Sequence, residues 1–212
     1  GTGTANCTLT EAQAKAALAQ HGLNVPAHCT TRPEDAKTAT AKMQGPFVVK
    51  GVGLAHKTES GAVRLSVPAE QLADVAGQIG TDQILIEEMV TGGIAELLVG
   101  ITRDPAHGFV LTVGAGGVLT EVLRDTTSLL LPVTAADIDA ALNKLSCARL
   151  LHGYRGQPGV DMAAVTQAIL AVQAYVLAHR NCVSEVEINP LICSPHRAVA
   201  ADALIRIAKD TE

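Results

Sequence analysis

The sequence predicts an α+β fold of two lobes, and three observations carry that prediction. Strand-like and helix-like segments alternate from about residue 25 to 90. After Gly92 the pattern changes to longer strands that pair through a tight turn. The composition is 48% hydrophobic but only 2% aromatic, without Trp and rich in alanine, which suits close packing of helices on sheets better than an aromatic-rich sandwich. With 17% charged residues such a chain is neither disordered nor collagen-like.

Each element has a local reason. Thr10 followed by EAQAKAALAQHG reads as an N-capped helix, with apolar positions 12, 16 and 19 on one face and Gly22 as its stop. VPAHCTT is a short strand, PEDAKTATAKM a helix started by Pro33, and PFVVKGVG and GAVRLSV are strands. PAEQLADVAGQIG is a helix opened by Pro68, and QILIEEMV is a strand. The longer strands IAELLVGITRD and HGFVLTVGAGG are joined by the turn signal DPAHG, which predicts an antiparallel pair. TEVLRD and SLLLPV follow, then helices from Thr134 to about Lys144 and from about Asp161 to Ala178. NCVSEVEINPLIC and AVAADALIRI close the chain around the turn SPHR. No repeat, low-complexity tract or flexible linker separates the lobes, so they are expected to share a cleft.

Charge and cysteine usage narrow the partners. Sixteen Lys and Arg against 21 Asp and Glu leave a net charge of −5, the wrong sign for a protein that coats a nucleic-acid duplex. Few aromatics also argue against stacking on single-stranded bases. The expected ligand is small and is reached through a local positive site. No apolar run of 18 residues exists, and GTGTANCTLT lacks a basic and an apolar signal region, so neither a membrane span nor an export signal is read. Cys7, Cys29, Cys147, Cys182 and Cys193 are odd in number and form no C-x-x-C. They read as reduced core thiols of a cytoplasmic protein, with neither a disulfide framework nor a zinc site. The start at Gly1 reads as that of a fragment of a longer chain.

Several residue groups carry possible chemistry. The absence of any Gly-Lys dipeptide excludes a Walker-type phosphate loop. Neither GVG at Gly51 and Gly53 nor GAGG at Gly114, Gly116 and Gly117 completes a dinucleotide fingerprint; taken alone, each reads as a turn or tight-packing device more often than as a phosphate cradle. Lys50 ends the apolar run FVV, either reaching a phosphate or turned to solvent. The run His56-Lys57-Thr58-Glu59-Ser60-Gly61 is the densest polar cluster, and a neutral imidazole there is a competent nucleophile. Glu87-Glu88-Met89 falls at the lobe boundary with Glu96 close behind, where backbone can meet an adenine edge and a carboxylate a ribose. In EVEINP the alternation puts Glu185, Glu187 and Asn189 on one face, with Asp202 on the returning strand, a hard-oxygen set suited to Mg²⁺. That face reads as lacking the Lys and Thr of ordinary polar strand faces.

Together FVVKGVGLAHKTESGAVRL, ILIEEMVTGGIAELLVGITRDPAHGFVLTVGAGGVLTEVLRD, LLHGYRGQPGVDMAAV, EVEINPLIC and AVAADA resemble one family in order and spacing, from about Thr10 to Ile207. It is the β-subunit-type ATP-grasp domain of the nucleoside-diphosphate-forming acyl-CoA synthetases, which include ADP-forming acetate–CoA ligase and are related to succinyl-CoA synthetase. The resemblance implies an ATP-grasp fold of two α+β lobes around a nucleotide cleft. Residues 1–24 would be a helix packing on the C-terminal lobe, 25–90 the lid lobe, and 91–212 the C-terminal lobe with the Mg²⁺ site.

The resemblance also implies roles. The family interconverts acyl-CoA, ADP and phosphate with free acid, CoA and ATP through an acyl phosphate and a phosphohistidine in the CoA-binding half. His56 matches the histidine that relays the phosphoryl group, and Glu187 the carboxylate that orients phosphohistidine. Lys50 matches the lysine on the nucleotide phosphates, Glu87, Glu88, Met89 and Val90 the segment against adenine, and Glu96 the ribose carboxylate. Asn189 and Asp202 match the Mg²⁺ ligands, and GAGG is a weaker candidate for amides toward a phosphate. The acid and CoA would be bound by a CoA-binding and ligase α domain or subunit, fused or separate, so this chain is expected to bind ATP or ADP alone and to turn over only with that half. An alternative is a non-catalytic nucleotide- or acyl-CoA-sensing module of a fused acyltransferase regulator, disfavoured because His56, Glu187, Asn189 and Asp202 are all present. An ATP-grasp carboxylase or amide ligase has no place for HKTESGAV.

Overall fold

The computed structural model describes residues 6–53, 62–117 and 125–208. In chain order the strands are β1 (Asn6–Thr8), β2 (His28–Thr31), β3 (Phe47–Gly51), β4 (Val63–Val67), β5 (Ile84–Glu88) and β6 (Ala95–Asp104). They continue as β7 (Gly108–Ala115), β8 (Thr126–Leu130), β9 (Val183–Cys193), β10 (Ala198–Ala200) and β11 (Ala203–Ala208). The helices are α1 (Glu11–Ala19), α2 (Ala36–Ala39), α3 (Leu72–Gln78), α4 (Ala135–Leu142), α5 (Ala148–His152) and α6 (Met162–Ala178). This is an α+β chain, as the alternating pattern predicts. It divides into two units, Pro26–Thr91 and Gly1–Val25 with Gly92–Glu212.

The larger unit is built on an antiparallel sheet of order β1-β11-β9-β6-β7-β8, with β10 also on β9. Period-2 alternation decides its two faces. Leu97, Val99 and Ile101 of β6, Leu111 and Val113 of β7, and Val186 and Ile188 of β9 point into a core shared with Leu18 of α1, Ile138 and Leu142 of α4, and Ile169, Val172 and Val176 of α6. The other face carries the polar residues. Thr10 caps α1 through a capping box with Gln13, and Asp161 caps α6 by accepting from the Ala164 amide at 3.0 Å, so both helices start where the cap residues predict.

The smaller unit is a four-stranded antiparallel sheet, β2-β5-β3-β4, around Phe47, Val49, Leu72, Ile84 and Ile86. Its proline-started segments are tighter than expected. Pro33–Asp35 is a 3₁₀ turn before the four-residue α2, and Ala69–Gln71 a 3₁₀ turn before α3. The Thr40 hydroxyl donates back to Ala36 O at 2.9 Å at the end of α2, a local bond that competes with helix continuation.

Two short elements escape periodicity: β1, which pairs with β11, and the five-residue α5. The thiols are not uniformly core residues either. Cys7 is exposed on an edge strand, whereas Cys193 is buried and its thiol pKa is pushed up to about 12 by burial. Among the described residues no helix is long and apolar enough to cross a membrane.

Candidate functional site

The polar face of the larger sheet is organised around a break in one strand. AVAADALIRI, expected as one strand, is two. β10 and β11 keep one register on β9, with Ala200 opposite Leu191 and Ala203 opposite Ile188, so Ala201 and Asp202 fall across from Pro190 and Asn189. Pro190 has no N–H to give the ladder, which is why the pairing opens there. The Ala201 amide still donates to Pro190 O at 3.0 Å, so the opening is a held turn and not a frayed end. Asn189 and Asp202 are thereby brought side by side, with Asp202 exposed.

Glu187 shares this face and is half-buried opposite Gly100 of β6, where no side chain shields it. Its carboxyl is held above the ordinary glutamate range, first by burial and then by repulsion from Glu185 and Asp202, against a smaller opposite effect of Arg206. The expectation for Glu185 changes. Its Oε2 accepts from Arg206 at 2.7 Å, so it is committed to an ion pair on the sheet, although its charge still acts on Glu187. Arg206, directly across from Glu185, and Thr102 on its other flank also show that the face does carry ordinary strand polar residues.

The glycines of GAGG hold this face together. The Gly116 amide donates to Glu96 O at 2.8 Å and the Gly117 amide to Asn189 Oδ1 at 2.9 Å. Both amides are turned to the protein, which corrects the expectation that they point at a phosphate. Gly117 has φ +65°, and a Cβ there would collide with Glu96 Oε2. Glu96 and Asn189 thus flank one glycine.

In the smaller unit, Lys50 is not turned to solvent. It is 7% exposed, and its Nζ lies 2.8 Å from Oε2 of Glu87, itself 2% exposed. The pair forms because β3 and β5 are neighbours in the sheet. Glu88 accepts from the Gln44 amide at 2.7 Å. Met89 gives its amide to Pro46 O at 2.9 Å, and its Sδ lies 3.2 Å from Ser66 Oγ. The Glu88 amide goes to Ala27 O at 2.9 Å, so any N–H pairing of this segment with a base starts at Val90, which is half-buried. His56 and the rest of His56–Gly61 lie outside the described residues.

The donors present fit Mg²⁺. Among the described residues no group of three or more His, Cys, Asp and Glu is arranged for a metal. Mg²⁺ needs no such cage, because it keeps several waters and takes one or two protein oxygens plus phosphates. Asn189 Oδ1 has two lone pairs and Gly117 uses one. Asp202, exposed beside Asn189, offers a second oxygen of the kind Mg²⁺ takes.

The ATP-grasp domain family matches residues 3–207. A trans-feruloyl-CoA synthase from an unknown prokaryotic organism is 32% identical over 216 residues, 94% of this chain but 30% of that protein. The β subunit of acetate–CoA ligase [ADP-forming] II from Pyrococcus furiosus is 27% identical, covering 93% of this chain and 90% of the subunit. Among solved structures, the dinucleotide-forming acetyl-coenzyme A synthetase 1 of Ca. Korarchaeum cryptofilum in complex with coenzyme A and Mg-AMPPCP superposes with a TM-score of 0.84. It is 28% identical, covers 95% of this chain and 93% of its own, and has its phosphohistidine segment pointing towards the nucleotide binding site. The chain spans less than a third of the length of the first curated relatives it matches.

Proposed function

The chain belongs to the ATP-grasp domain family, and from that premise we propose that it is the nucleotide-binding half of an ADP-forming acid–CoA ligase, moving a phosphoryl group between ATP or ADP and a phosphohistidine. The observation that carries this reading is the strand break that sets Asn189 beside Asp202, with Glu187 on the same face. The P. furiosus β subunit, of nearly the same length, and the Mg-AMPPCP complex of the Korarchaeum enzyme support it. The acid and CoA belong to a CoA-binding half, as a subunit or a fused domain, and the assembled enzyme acts where no membrane is needed.

Each residue has work matched to its setting. Phosphoryl transfer passes through a charge-spread transition state, so the protein supplies mainly position and neutralisation. Lys50 contributes a cation to the phosphates, and Glu87 holds that cation in place. Val90 meets the base edge from its backbone, with Glu88 and Met89 fixing the segment that leads to it. Glu96 takes ribose hydroxyls. Asn189 and Asp202 would hold Mg²⁺, which when bound neutralises phosphate oxygens. In the transfer from ATP, the bond from the γ-phosphorus to the bridging oxygen breaks, a P–N bond forms to a neutral imidazole nitrogen, and ADP leaves with the electron pair. Glu187 accepts the N–H of the other ring nitrogen, fixing the tautomer and stabilising the cationic phosphorylated ring. His56 relays the group.

The test combines the chain with a CoA-binding half and Mg-ATP, followed by measurement of acid-labile phosphate. The parent should label the partner's histidine and turn over. His56→Ala should interrupt turnover, and a variant that turns over like the parent removes the relay role.

A further inference from the structure

We infer that Lys15 is a positioning residue for the turn that carries Asp202. The inference rests on the reading of Asn189 and Asp202 as the magnesium ligands. Lys15 lies on α1 and is completely buried, a rare placement for an ammonium group. Its Nζ lies 2.9 Å from Oε1 of Glu11, one helical turn earlier and also buried, and donates to Ala201 O at 2.8 Å. Anchoring α1 to the sheet does not require this charge, because Ala14 and Leu18 on the same helix already sit in the core. The ammonium goes instead to the one place where the β10–β11 strand is broken.

The consequence follows from peptide geometry. The Ala201 carbonyl and the Asp202 amide share a rigid plane, so holding the carbonyl sets where Asp202 begins. The plane on the other side of Ala201 is held by its amide, which donates to Pro190 O at 3.0 Å, and the Ala200 amide donates to Asn24 O at 2.9 Å. Lys15 therefore holds the carbonyl side of a turn that Asn24, just beyond α1, and Pro190, next to Asn189, also anchor. Glu11 balances the buried charge so that the ammonium can stay there.

Three variants of the chain test this: Lys15→Met, the double variant Glu11→Leu/Lys15→Met, and Asp202→Ala as reference. The readouts are the Mg²⁺ concentration that half-saturates binding of a fluorescent ADP analogue, and the affinity of that analogue without metal. Both Lys15 variants should raise the half-saturating Mg²⁺ about tenfold, the size of effect that residues supporting a metal ligand produce. Metal-free affinity should stay within about twofold of the parent. The double variant removes both buried charges together and so keeps the fold if Lys15→Met does not. A folded double variant with parental Mg²⁺ dependence overturns the inference, and so does an equal loss with and without metal. If the parent itself shows no Mg²⁺ dependence, the assignment of Asn189 and Asp202 falls and this inference with it, a result distinguishable from the other two.

Discussion

Alanine at position 117 separates the two tasks of the glycine loop. Gly117 has φ +65°, where a side chain with a β-carbon costs about 1–2 kcal/mol. The added methyl also collides with Glu96 Oε2, but that oxygen ends a flexible, exposed side chain and can swing away cheaply. The Gly117→Ala protein should therefore stay folded, losing about 1–2 kcal/mol in urea denaturation. Binding should suffer separately. Glu96 leaves the place from which it would meet a ribose, a hydrogen bond worth about 0.5–1.5 kcal/mol, whereas the backbone N–H that Asn189 accepts is kept. The expected result in calorimetric titration is a Mg-ADP affinity about tenfold weaker, equivalent to about 1.4 kcal/mol. Gly116→Ala is the contrast. Its Cβ would come within 2.6 Å of Leu97 O and 2.8 Å of Leu98 N, backbone atoms of a central strand that cannot move aside. It should lose about 3 kcal/mol or more of stability. A Gly117→Ala protein that binds Mg-ADP like the parent while losing as much stability as Gly116→Ala would refute this reasoning.

Two other perturbations follow from buried charge. Lys50→Met leaves the Glu87 carboxylate buried without this cation and should cost about 3–5 kcal/mol, with most of it recovered in Lys50→Met/Glu87→Leu; urea denaturation checks this, and a fully stable single variant contradicts it. Glu187 titrates above its ordinary value of 4.5, so its stability contribution is present below 4.5 and lost as pH rises through the raised value. Glu187→Gln should therefore melt higher than the parent near neutral pH, with the gain vanishing below 4.5, while phosphohistidine formation falls. Equal melting temperatures at neutral pH would show that Glu187 carries no such burden.

What the sequence made legible was local. Caps announced α1 and α6, whose Thr10 and Asp161 act within three residues. Alternation along EVEINP put Glu187 and Asn189 on one face, and the resemblance tied them to a function. What stayed hidden depends on strands meeting across long separations. Arg206 meets Glu185 only because β11 lies beside β9, a pairing of residues 21 apart in the chain. Lys50 meets Glu87 because β5 is the neighbour of β3, although β4 lies between them in sequence. The same holds for Gly117 and Asn189, 72 residues apart, and for Lys15 and Ala201, 186 apart. One signal was available: Pro190 inside an otherwise regular strand pattern marks the point where a ladder must open, and the oxygen donors stand on either side of that opening.

The central claim, a Mg²⁺-dependent nucleotide site on this chain, is tested most directly by titrating ADP into the folded chain with Mg²⁺ and with a chelator in its place, for the parent and for Asp202→Ala. The account predicts saturation at one nucleotide per chain in the parent, much weakened by the chelator and by Asp202→Ala, with circular dichroism unchanged. A folded parent that takes up no ADP, or takes it up equally without Mg²⁺ and in Asp202→Ala, would contradict it.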